Sequence, residues 1–299
     1  MVSGQGQARA DRGWYPLGVP ALSTSHLQLP IRSDKLSYNV KLTAHLAHVK
    51  SEFQTIDVYD SEVFGRLLTL DGHIQLTEFD EPAYHESLVH IPLLSMTAPQ
   101  KALVVGGGDG GVLRELARHA TITQIDMVEI DEAVVRTAKE FLPFVSNGAF
   151  DDPRVNLHIA DAFEFLKQNQ TQYDLIVVDC TDVYEEEDGG LSEMLFTDRF
   201  YQDCLRSLSP QGMVVSQADN LVFCPYSLEE IKTMFGRVFP TVESYQAIIP
   251  SFGGFSGYCY ASAGATVSPE WPSEKAASLQ LRYLNETTYR LALQAFNFS

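Results

Sequence analysis

The chain has 299 residues, 45% of them hydrophobic, and a formal net charge of -18. This is enough apolar material for one large or two small domains, but no apolar run reaches the ~18 residues that a membrane-spanning helix needs. So acidic a chain repels nucleic acid and anionic membranes; it is compatible with a cationic ligand, though charge by itself selects none.

In chain order, residues 1–35 carry Gly, Pro and Ser but no apolar signal core, and read as a flexible N-terminal tail. Residues 36–79 are short, alternating and turn-rich, with strands expected around Val40–Thr43, Gln54–Val58 and Arg66–Leu70 and a hairpin signal at Asp71-Gly72. They predict a small antiparallel β domain. Residues 80–299 change period. A helix over Glu81–Leu94 precedes the strand Ala102–Val105, and strands near Gln124–Val128, Val155–Ile159, Leu175–Val178 and Met213–Ser216 then alternate with helices. Those helices are expected at Val112–His119, Glu132–Phe141, Ala162–Gln168 and Asp198–Leu208. Short apolar strands separated by helices predict an α/β, Rossmann-like, mostly parallel sheet covered on both faces. Cys180, Cys204, Cys224 and Cys259 stand far apart without CxxC or zinc spacing, as expected of reduced thiols in a cytoplasmic enzyme.

Gly106-Gly107-Gly108-Asp109-Gly110-Gly111 contains the G-x-G-x-x-G pattern between a predicted strand and a predicted helix. Such glycines let backbone approach a ligand closely. The next strand ends in Glu129, eighteen residues beyond Gly111, where an acid can hold both hydroxyls of a ribose. Together they predict a nucleoside site; a tight turn and a surface Glu would be the plainer account. Asp109, Glu129, Asp161 and Asp179 each fall at or just past the carboxyl end of a successive strand, and those ends line one crevice in an open parallel sheet. Carboxylates so gathered repel one another unless a cation relieves them. A cationic organic ligand fits better than Mg²⁺, which usually accompanies phosphate, because the loop lacks the Gly-Lys-Ser/Thr of a phosphate-binding loop. His85-Glu86 and His90 imitate a zinc motif, but the second His comes five residues on instead of four, so the side chains diverge on a helix. Asp179 and Asp182 on one loop suit an amine and its proton, although Asp also favours solvated turns. Glu185-Glu186-Glu187-Asp188, before Gly189-Gly190, is either a solvated run or part of a lid.

These residues resemble the spermidine synthase (polyamine aminopropyltransferase) family. The resemblance is carried by Leu70-Asp71-Gly72-His73-Ile74-Gln75, Glu78, Asp80-Glu81 and Tyr84-His85-Glu86, then by Gly106 to Gly111, Val128-Glu129-Ile130-Asp131 and the Asp179–Asp182 loop. Phe53-Gln54 and Leu195-Phe196-Thr197 agree with it, so that it covers about Ser51 to Ser262. It implies transfer of an aminopropyl group from decarboxylated S-adenosylmethionine, a co-substrate, to a cationic polyamine, with release of methylthioadenosine. It implies no tightly bound cofactor and no metal, and assembly as a homodimer or homotetramer. Carried over by motif, Gln54, Glu129, Asp161 and Ala162 would hold the methylthioadenosine part, with Gly106 and Gly108 in the glycine loop. Asp109 and His85 would meet the aminopropyl or amine end. Tyr84, Gln75 and Asp182 would place the acceptor, and Asp179 would take its proton.

Two departures bear on the acceptor. Most members follow the second loop Asp with Pro-x-Gly-Pro, where this chain has Val183-Tyr184 and the acidic run, in a longer segment. Phe252 stands where many carry Tyr, which removes a hydroxyl from the acceptor region. Both changes suit a longer or differently charged amine, and also a relative with altered chemistry. The rival reading from another reaction class is an S-adenosylmethionine-dependent N-methyltransferase; Asp109 opposes it, because the ordinary donor carries a carboxylate that Asp109 would repel.

Overall fold

The computed structural model describes residues 26–32, 35–180 and 197–295. Five strands build the N-terminal sheet: β1 (His26–Arg32), β2 (Leu36–Lys50), β3 (Thr55–Ser61), β4 (Gly65–Leu70) and β5 (His73–Thr77). They pair antiparallel in the order β1-β2-β3-β4-β5. Here the sequence reading needs a correction, because the stretch assigned to a tail enters the sheet at His26. Leu29 is fully buried and Pro30 lies at a break in register with β2. Pro cannot donate to a ladder, so this strand is tolerated only at the edge, and the same Pro hides it from strand patterning.

The second unit begins with α1 (Glu81–Ser95) and continues through β6 (Lys101–Gly106), α2 (Gly111–Ala117), β7 (Gln124–Glu129), α3 (Glu132–Phe141), α4 (Pro143–Ser146), β8 (Val155–Ile159), α5 (Ala162–Gln168) and β9 (Tyr173–Asp179). After residues 181–196, which are not described, it resumes with α6 (Asp198–Arg206), β10 (Leu208–Asn220), α7 (Pro225–Gly236), β11 (Thr241–Ile249), β12 (Gly254–Ser262), α8 (Ser273–Ala276) and α9 (Glu286–Ala292). The sheet order is β11-β12-β10-β9-β6-β7-β8. The five strands from β10 to β8 run parallel, and β12 is antiparallel to both β10 and β11.

Alternation along β6 shows why both faces are covered. Val104 packs with Leu88, Ile91, Val112 and Val177 under α1 and α2. Leu103 and Val105 point the other way, to Ile176, Val178, Phe200 and Phe235 under α6 and α7. The N-terminal sheet joins the larger unit by an apolar seam of Ala47, Val49, Ile56, Val58 and Leu68 against Val134, Ala138 and Leu142 of the α3 region. The chain runs outward from β6 through β7 to β8, then returns to β9 on the other side of β6. This reversal makes the β6/β9 junction the switch point, where the carboxyl ends of the strands open a crevice. Among the described residues no helix is long and apolar enough to cross a membrane.

Candidate active site

Gly106 and Asp179 are paired across β6 and β9 at the switch point. Gly106 has φ +79°, and a Cβ there would lie 2.2 Å from the Asp179 carbonyl oxygen, so only glycine lets the two strand ends close on each other. The Gly107 N–H donates to that same carbonyl at 2.8 Å, which fixes the direction in which the Asp179 side chain leaves the strand.

Tyr84, on the first turns of α1, donates from its hydroxyl to Asp179 Oδ1 at 2.5 Å. Its neighbour His85 is buried. The His85 Nδ1–H donates to Glu81 Oε2 at 2.9 Å, and Nε2 faces Asp109 Oδ1 at 3.3 Å. The second contact is an ion pair without the alignment of a hydrogen bond, so Nε2 has no hydrogen-bond partner among the described residues. The ring fits because Gly111 starts α2 beside it: a Cβ at 111 would sit 2.3 Å from His85 Cε1. The Gly111 N–H donates to Asp109 Oδ1 at 2.6 Å and aims that carboxylate.

Electrostatics follow from this packing. Burial alone would discharge His85, but Asp109 and then Glu81 overcome it and lift the imidazole to about 10. His85 is therefore a fixed cation at neutral pH. For Asp109, burial works against ionisation, yet the His85 charge and the Gly111 N–H hold its carboxyl below the usual range. Asp179 has weaker support: burial and the nearby Asp109 raise it to about 6 against the opposing pull of His85 and Tyr84. Burial likewise raises Glu129 to about 7, although backbone N–H groups at Asp131 and Ile130 favour its ionised form.

Glu129 ends β7, where Oε1 accepts from the Asp131 N–H at 2.9 Å and Oε2 lies 3.0 Å from where a Gly108 Cβ would stand. A side chain at position 108 would therefore press on this carboxylate. Gln54 arrives from the N-terminal sheet, with Nε2 donating to Asp131 Oδ2 at 3.0 Å beside Ser51 Oγ at 2.7 Å. Asp161 caps α5 by accepting from the Phe163 N–H at 2.8 Å, and Ala162 behind it is buried. Phe252 meets Tyr84 edge to face, ring centroids 5.8 Å apart. It sits on a turn, Pro250–Phe252, that Asp80 secures by accepting from the Ser251 N–H at 2.7 Å and hydroxyl at 2.9 Å. Gln75 lies on β5, its Nε2 3.4 Å from the His73 carbonyl. Asp182 and the acidic run lie outside the described residues. The two helix histidines take different partners: His90 lies 2.8 Å from both Glu115 and His119, whereas His85 faces Glu81 and Asp109.

Sequence reasoning missed the supports. Glu81 sits one helical turn before His85, a spacing that could have revealed it. Arg114 could not have been found this way, since it reaches back from α2 to Glu81 at 2.7 Å and sideways to Glu115 at 2.6 Å. Nor could Ser51 and Asp131, which meet only when the two domains do.

Comparison with known proteins identifies the family. The family model for the spermine/spermidine synthase domain matches residues 81–268, and that for the spermidine synthase tetramerisation domain matches residues 31–78. A polyamine aminopropyltransferase of Alkaliphilus metalliredigens is 41% identical over 226 residues, 75% of this chain and 76% of the relative. Spermidine synthase 1 of Hyoscyamus niger is 41% identical over 229 residues, 76% of this chain and 71% of the relative. The crystal structure of spermidine synthase from Thermotoga maritima aligns with a TM-score of 0.84 at 27% identity, covering 98% of this chain and 97% of that one. A spermidine synthase in complex with the transition-state analogue AdoDATO aligns with the same score and identity, over 97% and 96%. The chain belongs to the spermine/spermidine synthase family. It is an enzyme whose reaction is aminopropyl transfer, with decarboxylated S-adenosylmethionine as co-substrate.

Glu129→Ala should weaken methylthioadenosine binding by roughly 1–3 kcal/mol, the cost of losing charge-assisted hydrogen bonds. Calorimetry on the two proteins tests this, and equal affinities would remove Glu129 from the nucleoside site.

Proposed function

We propose that the aminopropyl group goes to a cationic polyamine such as putrescine, with Asp179 as the base. The observation that carries this reading is the contrast within one crevice: a fixed His85 cation secures the Asp109 charge, while Asp179, raised to about 6, is poised to exchange a proton near neutral pH. The amine attacks the methylene beside the donor's sulfonium, the C–S bond breaks, and its electrons remain on the sulfur of methylthioadenosine. A protonated amine, with pKa ~10, has no lone pair. Asp179 must therefore accept its proton close to the moment of attack, and Tyr84 holds Oδ1 for that role. Asp109 and His85 receive the aminopropyl end. Glu129, Gln54, Asp161, Ala162, Gly106 and Gly108 hold the methylthioadenosine part. Gln75, Tyr84, Phe252 and, by motif, Asp182 position the acceptor.

The match to a tetramerisation domain supports an oligomer, which we assign as a homodimer or homotetramer. The cytoplasm, where such amines and reduced thiols coexist, is the compartment we assign to it. Mass spectrometry of products from both S-adenosyl donors and a panel of amines tests the reading. A gain of one aminopropyl group on a polyamine is expected; a gain of one methyl group, or no polyamine product, would overturn it.

Asp109 should also select the donor, since an ordinary S-adenosylmethionine places its carboxylate against this charge. Asp109→Asn is expected to narrow the ratio of dissociation constants for the two donors. An unchanged ratio would mean that Asp109 does not read the amine end.

A further inference from the structure

The N-terminal sheet carries a second cluster of titratable groups that the reaction does not use. His45 Nε2 and His48 Nδ1 both lie 2.7 Å from one oxygen of Asp57, Oδ1. Residues three apart on a regular strand face opposite sides of the sheet. These two share a face because β2 slips register between His45 and Ala47: His45 opposes Tyr59, Ala47 opposes Val58 and His48 opposes Asp57. Leu46 is the extra residue, and such a bulge re-aims the side chains that follow it. The opposite face of the same strands, with Ala47, Val49, Ile56 and Val58, belongs to the seam against α3.

The surroundings fix the set. The Tyr59 ring stacks on His45, with centroids 4.3 Å apart and planes 22° from parallel. The His45 and Asp57 side chains are only 9% and 10% exposed, whereas His48 is 29% exposed and borders solvent. Two imidazole nitrogens and one carboxylate oxygen, with one open side, form a three-ligand set suited to a zinc-type ion. A tetrahedral ion with bonds of about 2.0–2.1 Å needs its donors roughly 3.3 Å apart. Rotation of the exposed His48 ring, with a smaller shift of Asp57, opens that space.

We propose that His45, His48 and Asp57 form a binding site for a zinc-type divalent transition-metal ion, completed by water on the His48 side. The ion ties β2 to β3 within the sheet that matches the tetramerisation domain. His85, Asp109 and Asp179 also approach one another within 4.8 Å. An ion there would have to displace the proton that His85 keeps up to about 10, in a crevice that serves the substrates. The proposed site lies in the N-terminal sheet, away from that crevice.

The test uses the tag-free full chain, stripped with a chelator and titrated with zinc chloride by calorimetry, with metal content measured after dialysis. One ion per chain and a raised melting temperature are expected. His48→Ala, at the most exposed ligand, and Asp57→Asn should each weaken zinc by more than the roughly 10–100-fold that loss of a mere supporting group costs. His48→Ala should keep aminopropyl transfer, and Asp179→Asn should keep the zinc. Absence of stoichiometric zinc, zinc indifferent to both ligand variants, or zinc lost with Asp179→Asn would each overturn the proposal. Circular dichroism of the variants, with His48→Gln as a second substitution at that position, separates a lost ligand from a lost fold.

Discussion

Asp179→Asn is expected to lower turnover by roughly 10²–10⁴-fold, the usual scale for loss of a general base. The substitution keeps the size of the side chain and its contact with Tyr84, but removes the carboxylate we propose as acceptor of the amine's proton. Donor affinity should change little, because Glu129 and the glycine loop are untouched. Raising the pH should partly rescue the variant, since more acceptor is then already neutral. In the wild type the base must be ionised. Its raised pKa of about 6 in the free enzyme therefore predicts that kcat/KM falls as pH drops through about 6. The same shift has an opposite consequence for stability. A carboxyl whose folded pKa lies above its unfolded value costs stability when ionised; the cost is absent below the unfolded pKa and complete once pH exceeds the folded one. At neutral pH, Asp179→Asn should make the empty enzyme more stable, by roughly 1–3 kcal/mol on the linkage between pKa and stability. Denaturant melts and steady-state kinetics on one preparation check both halves. Near-wild-type turnover at neutral pH would refute the base assignment. A loss confined to donor affinity would move Asp179 from catalysis to binding.

Arg114→Met should destabilise the protein by about 3–5 kcal/mol, because it leaves two buried carboxylates without their shared cation. Glu81 and Glu115 are 1% and 0% exposed, and Arg114 bonds both, at 2.7 Å and 2.6 Å, while also donating to the Val145 carbonyl at 2.6 Å. The guanidinium and His85 together hold Glu81 ionised despite burial. The effect should reach the active site, because Glu81 helps to keep His85 charged and His85 in turn secures Asp109. Thermal or denaturant unfolding measures the first consequence. A weaker preference for the decarboxylated donor in the folded variant measures the second. A loss below about 1 kcal/mol, the scale of an exposed ion pair, would show that the network contributes little.

What could be read in the sequence, and what could not, divides along a physical line. Period and turn chemistry act over a few residues, so the β6 to β9 alternation, the glycine loop and the acids at strand ends were legible from one stretch at a time. Their convergence followed from a general property of parallel sheets, whose carboxyl ends face one way. Local patterning failed where a partner lies far along the chain. Leu29 is buried because β2, β4 and β5 bring Val40, Leu42, Leu67 and Ile74 into one cluster with it, and Pro30 masked the strand that holds it. The antiparallel pair β11 and β12, which completes the sheet beyond β10, was not read from the chain, although its four-residue connection, Pro250 to Gly253, is too short for a parallel crossover. The site shows the same split. The identity of Asp179, Asp109 and Glu129 as acids on one rim was written in the chain. The proton each one keeps was decided by tertiary contacts: Asp109 is ionised because His85 and Gly111 face it, and Asp179 is poised higher because burial and Asp109 outweigh Tyr84 and His85. Residue type sets which charge a position can carry; only the packed surroundings set the pH at which it does.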